Sequence, residues 1–131
     1  MNYVIESLLV GIYTAIIYFI ISLFIKNIYA LLLVVGFLKH LLGYFLNIHT
    51  WYCNNGDACL NKDNNNNYTA IRLHLIRDSL YDAVMFLIIG SVLLTKINNI
   101  VLFFTIGVLL HIISEHLLVH KYFCNNNCKK I

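Results

Sequence analysis

Lys39 and His40 stand side by side inside an apolar run, "VVGFLKHLLGYFL" at 34–46. Two other apolar runs carry ionisable residues in the same way. These are Asp78 and Asp82 in "RDSLYDAVMF" at 77–86, and His111 and Glu115 in "LLHIISEH" at 109–116. Residues four apart share one face of a helix, so Asp78 points with Asp82 and His111 with Glu115. Gly36, Lys39, His40, Gly43, Tyr44 and Asn47 fall on one arc of their helix, backed by Leu, Val and Phe. Lys39, His40, Asp78, Asp82, His111 and Glu115 form the candidate catalytic or proton-handling set, flanked by Tyr81 and Ser114, with Glu6 and Tyr13 on a similar face of the first apolar run.

Several chemistries fit these residue types. His40 and His111, at matched depth on different helices, are candidate axial ligands of a haem, with Gly36, Gly43 and Gly107 leaving room beside them. Asp78, Asp82, His111 and Glu115 have the donor types of a metal site, although the Glu-x-x-His repeat of di-iron bundles is absent. A proton relay needs only the ionisable groups and water. The plainer reading is interhelical glue: a buried Lys–Asp pair fixes register without catalysing anything. An isolated Lys at a bilayer centre costs roughly 2.5–3.5 kcal/mol, so Lys39 requires a partner, and Asp82 matches its depth best. Nothing resembles a nucleophile elbow, a phosphate loop, a potassium-type filter or a zincin motif.

A second cluster involves the cysteines. His116, His120, Cys124 and Cys128 recur every four residues in "HLLVHKYFCNNNC". With Cys53 and Cys59 they are candidate zinc ligands, although C-x5-C and C-x3-C are not standard zinc spacings. Asn-Asn-Asn is a poor helix former, so the ridge is expected to end after Phe123. The alternative is two disulfides, either Cys53–Cys59 with Cys124–Cys128 or a stapling of loop to tail, and spacing does not choose among the three connectivities. No Cys-x-x-Cys pair is present, which argues against a thiol oxidoreductase.

The elements that must position these residues are membrane helices. Of 131 residues, 60% are hydrophobic and 11% charged, where a water-soluble domain carries about a quarter charged. Spans fit near 4–25, 28–50, 70–95 and 97–120, each long enough for a hydrocarbon core of about 30 Å. The expected fold is an all-α integral membrane protein: a four-transmembrane-helix antiparallel bundle, its two hairpins joined by a longer polar loop at 51–69 and ending in a short polar tail at 121–131. On these spans Lys39, Asp82 and His111 lie about 14–18 Å from one face, here called side A. Side A carries the N-terminus, the loop, the tail and all four cysteines. The uncharged run at 7–25 has no basic region before it and no cleavage site after it, and reads as a retained span.

Orientation signals conflict. Lys62, Arg72, Lys121, Lys129 and Lys130 on side A, against Lys26 and Lys96 on side B, favour a cytoplasmic side A. Paired cysteines, and the sequon "NYT" at Asn67–Thr69, favour an oxidising compartment. Trp51, Tyr52, Tyr68 and Tyr122 read as an aromatic belt. Arg72, His74 and Arg77 read as headgroup anchors, with Arg77 pairing with Asp78 or across to Glu6. The net charge of +3 is spread out without a basic stripe, so no nucleic-acid partner is expected. The abundance of Asn, Ile, Tyr and Lys suits an AT-rich genome, such as those of certain large DNA viruses, protists or low-GC bacteria.

The leading expectation is a small multi-pass protein with a structural or assembly role in a membrane. Its partners would be the bilayer, copies of itself or other membrane proteins, and it would need no cofactor. The alternatives are a membrane-embedded enzyme or redox/proton carrier built on the His/carboxylate cluster, with haem or zinc, and a small oligomeric channel.

Overall fold

The computed structural model describes residues 2–59, 67–94 and 96–131. The protein is mostly helical. Helices α1 (Tyr3–Ile21), α2 (Ile28–Phe45) and α3 (Ile48–Asn55) lead to a 3-10 turn at Asp57–Cys59 and strand β1 (Tyr68–Ala70). Then come α4 (Leu75–Leu93), α5 (Asn99–His116), α6 (Val119–Asn127) and strand β2 (Cys128–Lys130). Asparagines start three of the long helices. The side chains of Asn2, Asn27 and Asn98 each accept backbone N–H bonds from the first turn of α1, α2 and α5. Asn is among the best residues for that duty, because its short amide reaches donors that have no partner within the helix. Among the described residues α1, α2 and α5 are long and apolar enough to cross a membrane. Helix α4 is as long as α1 but carries Arg77, Asp78 and Asp82.

Two expected spans end early. The run at 28–50 breaks at Asn47 and the run at 97–120 breaks at Leu118, both with φ of 61°. Asn tolerates this left-handed conformation. Leu does not, and pays roughly 1–2 kcal/mol for it. The strain at Leu118 persists because α6 is anchored beyond it by Cys124 and Cys128. The region expected as a polar loop therefore holds the end of α3, the turn and β1. The expected tail is a helix and a strand, with β2 pairing antiparallel to β1, Ala70 opposite Cys128. Helix α6 runs on to Asn127 instead of ending after Phe123. Asn126 Nδ2 donates to Tyr122 O and Asn127 Nδ2 to Asp78 Oδ2, so side-chain bonds and the cysteine anchors offset weak propensity. Lys62 and the "NKDNNN" stretch lie outside the described residues.

The closest packing is not within the sequential hairpins. Helix α2 lies most extensively against α4, and α1 against α5. Glycine sets both crossings. A Cβ on Gly36 would meet the Asp82 carbonyl at 2.8 Å and Ala83 Cα at 2.9 Å, and one on Gly107 would meet Thr14 Oγ1 at 2.6 Å and Gly11 Cα at 3.1 Å. Tyr18 stacks on Phe103 at 4.4 Å. Ile17, Leu32, Val35, Phe86, Leu102 and Ile106 fill the core below the polar residues.

These crossings are two copies of one arrangement. Gly36, His40, His49 and Cys53 recur 71 residues later as Gly107, His111, His120 and Cys124. The buried residues Ser7, Gly11 and Thr14 of α1 recur 72 residues later as Ser79, Ala83 and Phe86 of α4. The left-handed breaks at Asn47 and Leu118 also stand 71 apart. Thus α1–α2–α3 and α4–α5–α6 are repeats, and each repeat's second helix packs on the other's first.

The disulfides obey the same exchange. Cys53 bonds Cys128 across 75 residues and Cys59 bonds Cys124 across 65. The expected local pairs, Cys53–Cys59 and Cys124–Cys128, do not form; loop is stapled to tail. Closing loops of this length removes about 4 kcal/mol of unfolded-chain entropy apiece. Non-reducing peptide mapping should recover 53–128 and 59–124 cross-links. The double variant Cys53→Ser/Cys128→Ser should lose about 2–5 kcal/mol of stability by detergent thermal melts.

Candidate functional site

Helices α2 and α5 each deliver one histidine inward, and the helices after the two breaks each deliver a second. His40 lies against His49 with ring centroids 4.6 Å apart, and His111 against His120 at 4.2 Å. Helices α3 and α6, with the two strands, cap one end of the long helices, and each histidine pair holds an aromatic ring from the other repeat's cap helix. Phe123 meets His40 and His49 edge-on at 6.4 and 5.3 Å, while Tyr52 meets His111 and His120 at 6.2 and 5.6 Å. Tyr52 and Phe123 are themselves 71 residues apart.

Carboxylates complete the cluster. Lys39 Nζ lies 3.3 Å from Asp82 Oδ2, and His40 Nδ1 lies 3.4 Å from the same oxygen. Lys39 also stands over the Phe86 ring, 5.7 Å from its centroid, and its carbonyl accepts from the Tyr13 hydroxyl at 3.0 Å. His111 Nε2 lies 3.2 Å from Oε2 of Glu6, a residue only 3% exposed, whose Oε1 accepts from the Asp57 backbone N–H at 2.7 Å. His120 Nδ1 lies 2.9 Å from Glu115 Oε2.

Four of the six expected set members, Lys39, His40, Asp82 and His111, therefore meet in one place. Glu115 turns to the cap with His120. Asp78 also sits at the edge, bound by Arg77 Nε at 3.2 Å and by Asn127. Arg77 does not reach Glu6. The layer is shallower than the expected spans imply. With α2 ending at Phe45, α4 starting at Leu75 and α5 ending at His116, it lies about 8–10 Å from the cap-side helix ends. His49 was absent from the expected set. The signal that finds it is the repeated spacing His-x8-His-x3-Cys, at 40–49–53 and at 111–120–124.

A chamber of about 130 Å³ lies between the two histidine pairs, walled by Lys39, His40, His49, Tyr52, His111 and His120 among others. It has room for several waters. His40 and His111 both face it, as a haem reading requires, but a porphyrin is far larger than the space. The cysteines expected as zinc ligands are consumed by disulfides, His116 is exposed against Tyr3, and His120 is bound to Glu115. Among the described residues no group of three or more His, Cys, Asp or Glu is placed to hold a metal ion.

Protonation follows from burial in the two cap helices, beyond the ends of the four long ones. Burial pushes His49 down to about 3, with the charges of His40 and Lys39 adding to the effect. Burial, then His111, lowers His120 to about 3. Burial and the Glu6 carboxylate raise Tyr52 far above its usual value. These three groups are neutral at pH 7.

Two outcomes are expected. Asp82→Asn strands a buried ammonium and should cost about 3–5 kcal/mol, whereas Lys39→Leu with Asp82→Val, the residues the other repeat uses at 110 and 10, should be close to neutral. Thermal melts of both variants check this. His49 binds a proton more readily unfolded than folded, so it contributes stability above its ordinary value of 6.5 that is lost as pH falls toward 3. The melting temperature should drop between pH 6.5 and 5, and His49→Phe should flatten that drop.

Comparison with protein-family models, with curated proteins and with solved structures gives no match for this chain.

Proposed function

We propose that this is a small multi-pass membrane protein in which α1, α2, α4 and α5 all cross the bilayer. Its role is structural: it holds a disulfide-stapled cap at one membrane surface, as a component or assembly partner of that membrane. The observation that carries this reading is the inside-out distribution of side chains. Ile5, Leu9, Ile12, Ile16 and Phe19 of α1 are about half exposed, while Glu6, Ser7 and Thr14 are buried. Helix α4 repeats the pattern: Ile76, Leu80, Val84, Ile88 and Val92 lie outside at four-residue spacing, with Ser79 and Asp82 inside. An apolar belt of this extent is unfavourable in water and favourable in lipid. The three charges of α4 fit a span, since Asp82 is paired inside and Arg77 and Asp78 sit in its first turn, where they reach the headgroups.

Two disulfides support a cap on the oxidising side of the membrane. They outweigh the Lys/Arg excess there, because thiols remain bonded only where reductants are excluded, while the charge rule is a statistical bias. The reciprocal clasp of aromatic rings gives each of the four chamber histidines a packing duty. Below them the core is apolar, which supports a one-sided cluster over a channel.

The chain should stay in membranes through alkaline carbonate extraction, and maleimide should label no cysteine until reduction. Release by carbonate would overturn the membrane placement. His111→Ala leaves the Glu6 carboxylate buried without its imidazole, so thermal stability and inserted yield should fall together. A variant of unchanged stability and yield would overturn the structural role.

A further inference from the structure

Two further cavities share walls with the chamber, one beside the first helix of each repeat. The first lies between α1 and α3 and is lined by Leu9, Val10, Ile48 and Trp51, with Glu6 and His111 at its inner end. The second lies between α4 and α6 and is lined by Tyr81, Asp82, Val119 and Tyr122, with Asp78 and Asn127 beside them. These are equivalent positions: Leu9 and Val10 recur after 72 residues as Tyr81 and Asp82, and Ile48 and Trp51 after 71 as Val119 and Tyr122. One is an apolar groove of about 310 Å³ and the other a recess of about 110 Å³ lined largely by polar residues. Both share walls with the chamber. Its residues Tyr13 and Tyr52 also line the groove, and its residues Lys39 and His40 also line the recess.

The repeats act as an internal control on what folding needs. The α1–α5 crossing forms with Val10 and Leu110 where the α2–α4 crossing has Asp82 and Lys39. The ion pair is thus not a requirement of the crossing, and it makes one end of the cavity system polar. We propose that groove, chamber and recess form one binding site for a single-chain membrane amphiphile with an uncharged, hydroxyl- or carbonyl-bearing head. The tail lies in the α1/α3 groove and the head among the histidines and the Lys39–Asp82 pair.

The site has the features this ligand requires. Leu9 at the groove mouth is exposed on the lipid-facing side of α1, and Ile48 and Trp51 of α3 are exposed beside it at the membrane surface, so the ligand enters from the edge of the bilayer. The groove alone is at the lower end of the roughly 300–1,000 Å³ usual for small-molecule sites. Inside, Asp82 engages only Nδ1 of His40, Glu6 only Nε2 of His111, and Glu115 only Nδ1 of His120. The second nitrogen of each ring, and both nitrogens of His49, have no hydrogen-bond partner among the described residues. His49 and His120, kept neutral at pH 7 by burial, can donate or accept at a free ring nitrogen, which suits a hydroxyl or a carbonyl. The ammonium in the wall is already paired with Asp82, and the carboxylates of Glu6 and Asp78 stand nearby, so an acidic head would meet repulsion without a free cation. Membrane proteins built from repeats commonly bind ligands at the repeat interface, where this chamber lies.

This inference rests on the membrane placement proposed above, and its test separates the two. Trp51 is the single tryptophan of the chain and lines the groove, so bromine entering the groove quenches it. The full-length protein in nanodiscs of unbrominated lipid is titrated with dibrominated monoolein and, separately, with dibrominated oleic acid. The first should give a saturable quench above the linear background from the bilayer, and the second should bind at least tenfold more weakly. Val10→Phe, which fills the neck shared by groove and chamber, should abolish the saturable part. His49→Phe should raise the half-saturation point about fivefold without lowering the maximum. Linear quenching of equal slope in all three proteins would overturn the site while leaving the membrane placement intact. Saturation at equal concentrations of ester and acid would overturn the uncharged head. Absence of any quenching, even by brominated bilayer lipid, would overturn the membrane placement itself.

Discussion

The close approach at Gly36 and Gly107 is the constraint on which the rest of the structure depends. Each glycine lets the second helix of one repeat sit directly on the first helix of the other, backbone against backbone. On the membrane placement proposed above, the helices gain little from burying apolar side chains against one another, because the solvent is equally apolar. Close packing at small residues and interhelical polar contacts must supply the association instead. Both are present here at the same level. Gly36 lies on the turn of α4 that holds Asp82, and Lys39 completes the contact one turn later.

Exchange between repeats then propagates upward. Helix α2 packs more extensively on α4 than on α1, and the helix that follows it meets rings of α6: Phe123 lies 5.3 Å from His49 and 5.9 Å from Tyr52, and His120 5.6 Å from Tyr52. The breaks at Asn47 and Leu118 turn both chains inward, and the cysteines that follow find partners in the opposite repeat. The cap is therefore an interlock rather than a pair of local loops. The histidine pairs beneath it hold aromatic rings of the opposite repeat for the same reason.

Departures from the repeat are as informative as the repeat. His40, His49, Cys53 and Gly36 match His111, His120, Cys124 and Gly107, while Lys39 matches Leu110 and Asp82 matches Val10. Glu6 and Asp78 correspond in position yet engage different groups, the first His111 and the second Arg77 and Asn127. A cavity system that would otherwise be symmetric thus acquires one apolar end and one polar end.

Length, charge poverty and apolar runs by themselves determined that the chain is helical and that at least α1, α2 and α5 have spanning length, because a twenty-residue apolar run has few other uses. The need of Lys39 for a buried acid was legible too, and Asp82 followed from matching depth. The spacing His-x8-His-x3-Cys stood in the sequence twice, but its meaning did not, since a repeated spacing does not say whether the copies face inward or toward each other. Only the tertiary structure decided that loop pairs with tail, that Glu6 belongs to His111, that the helices break at Asn47 and Leu118, and that the polar layer lies near the cap. All four follow from which helix lies against which. That choice is set by small-residue contacts between segments more than forty residues apart, and no local pattern records it.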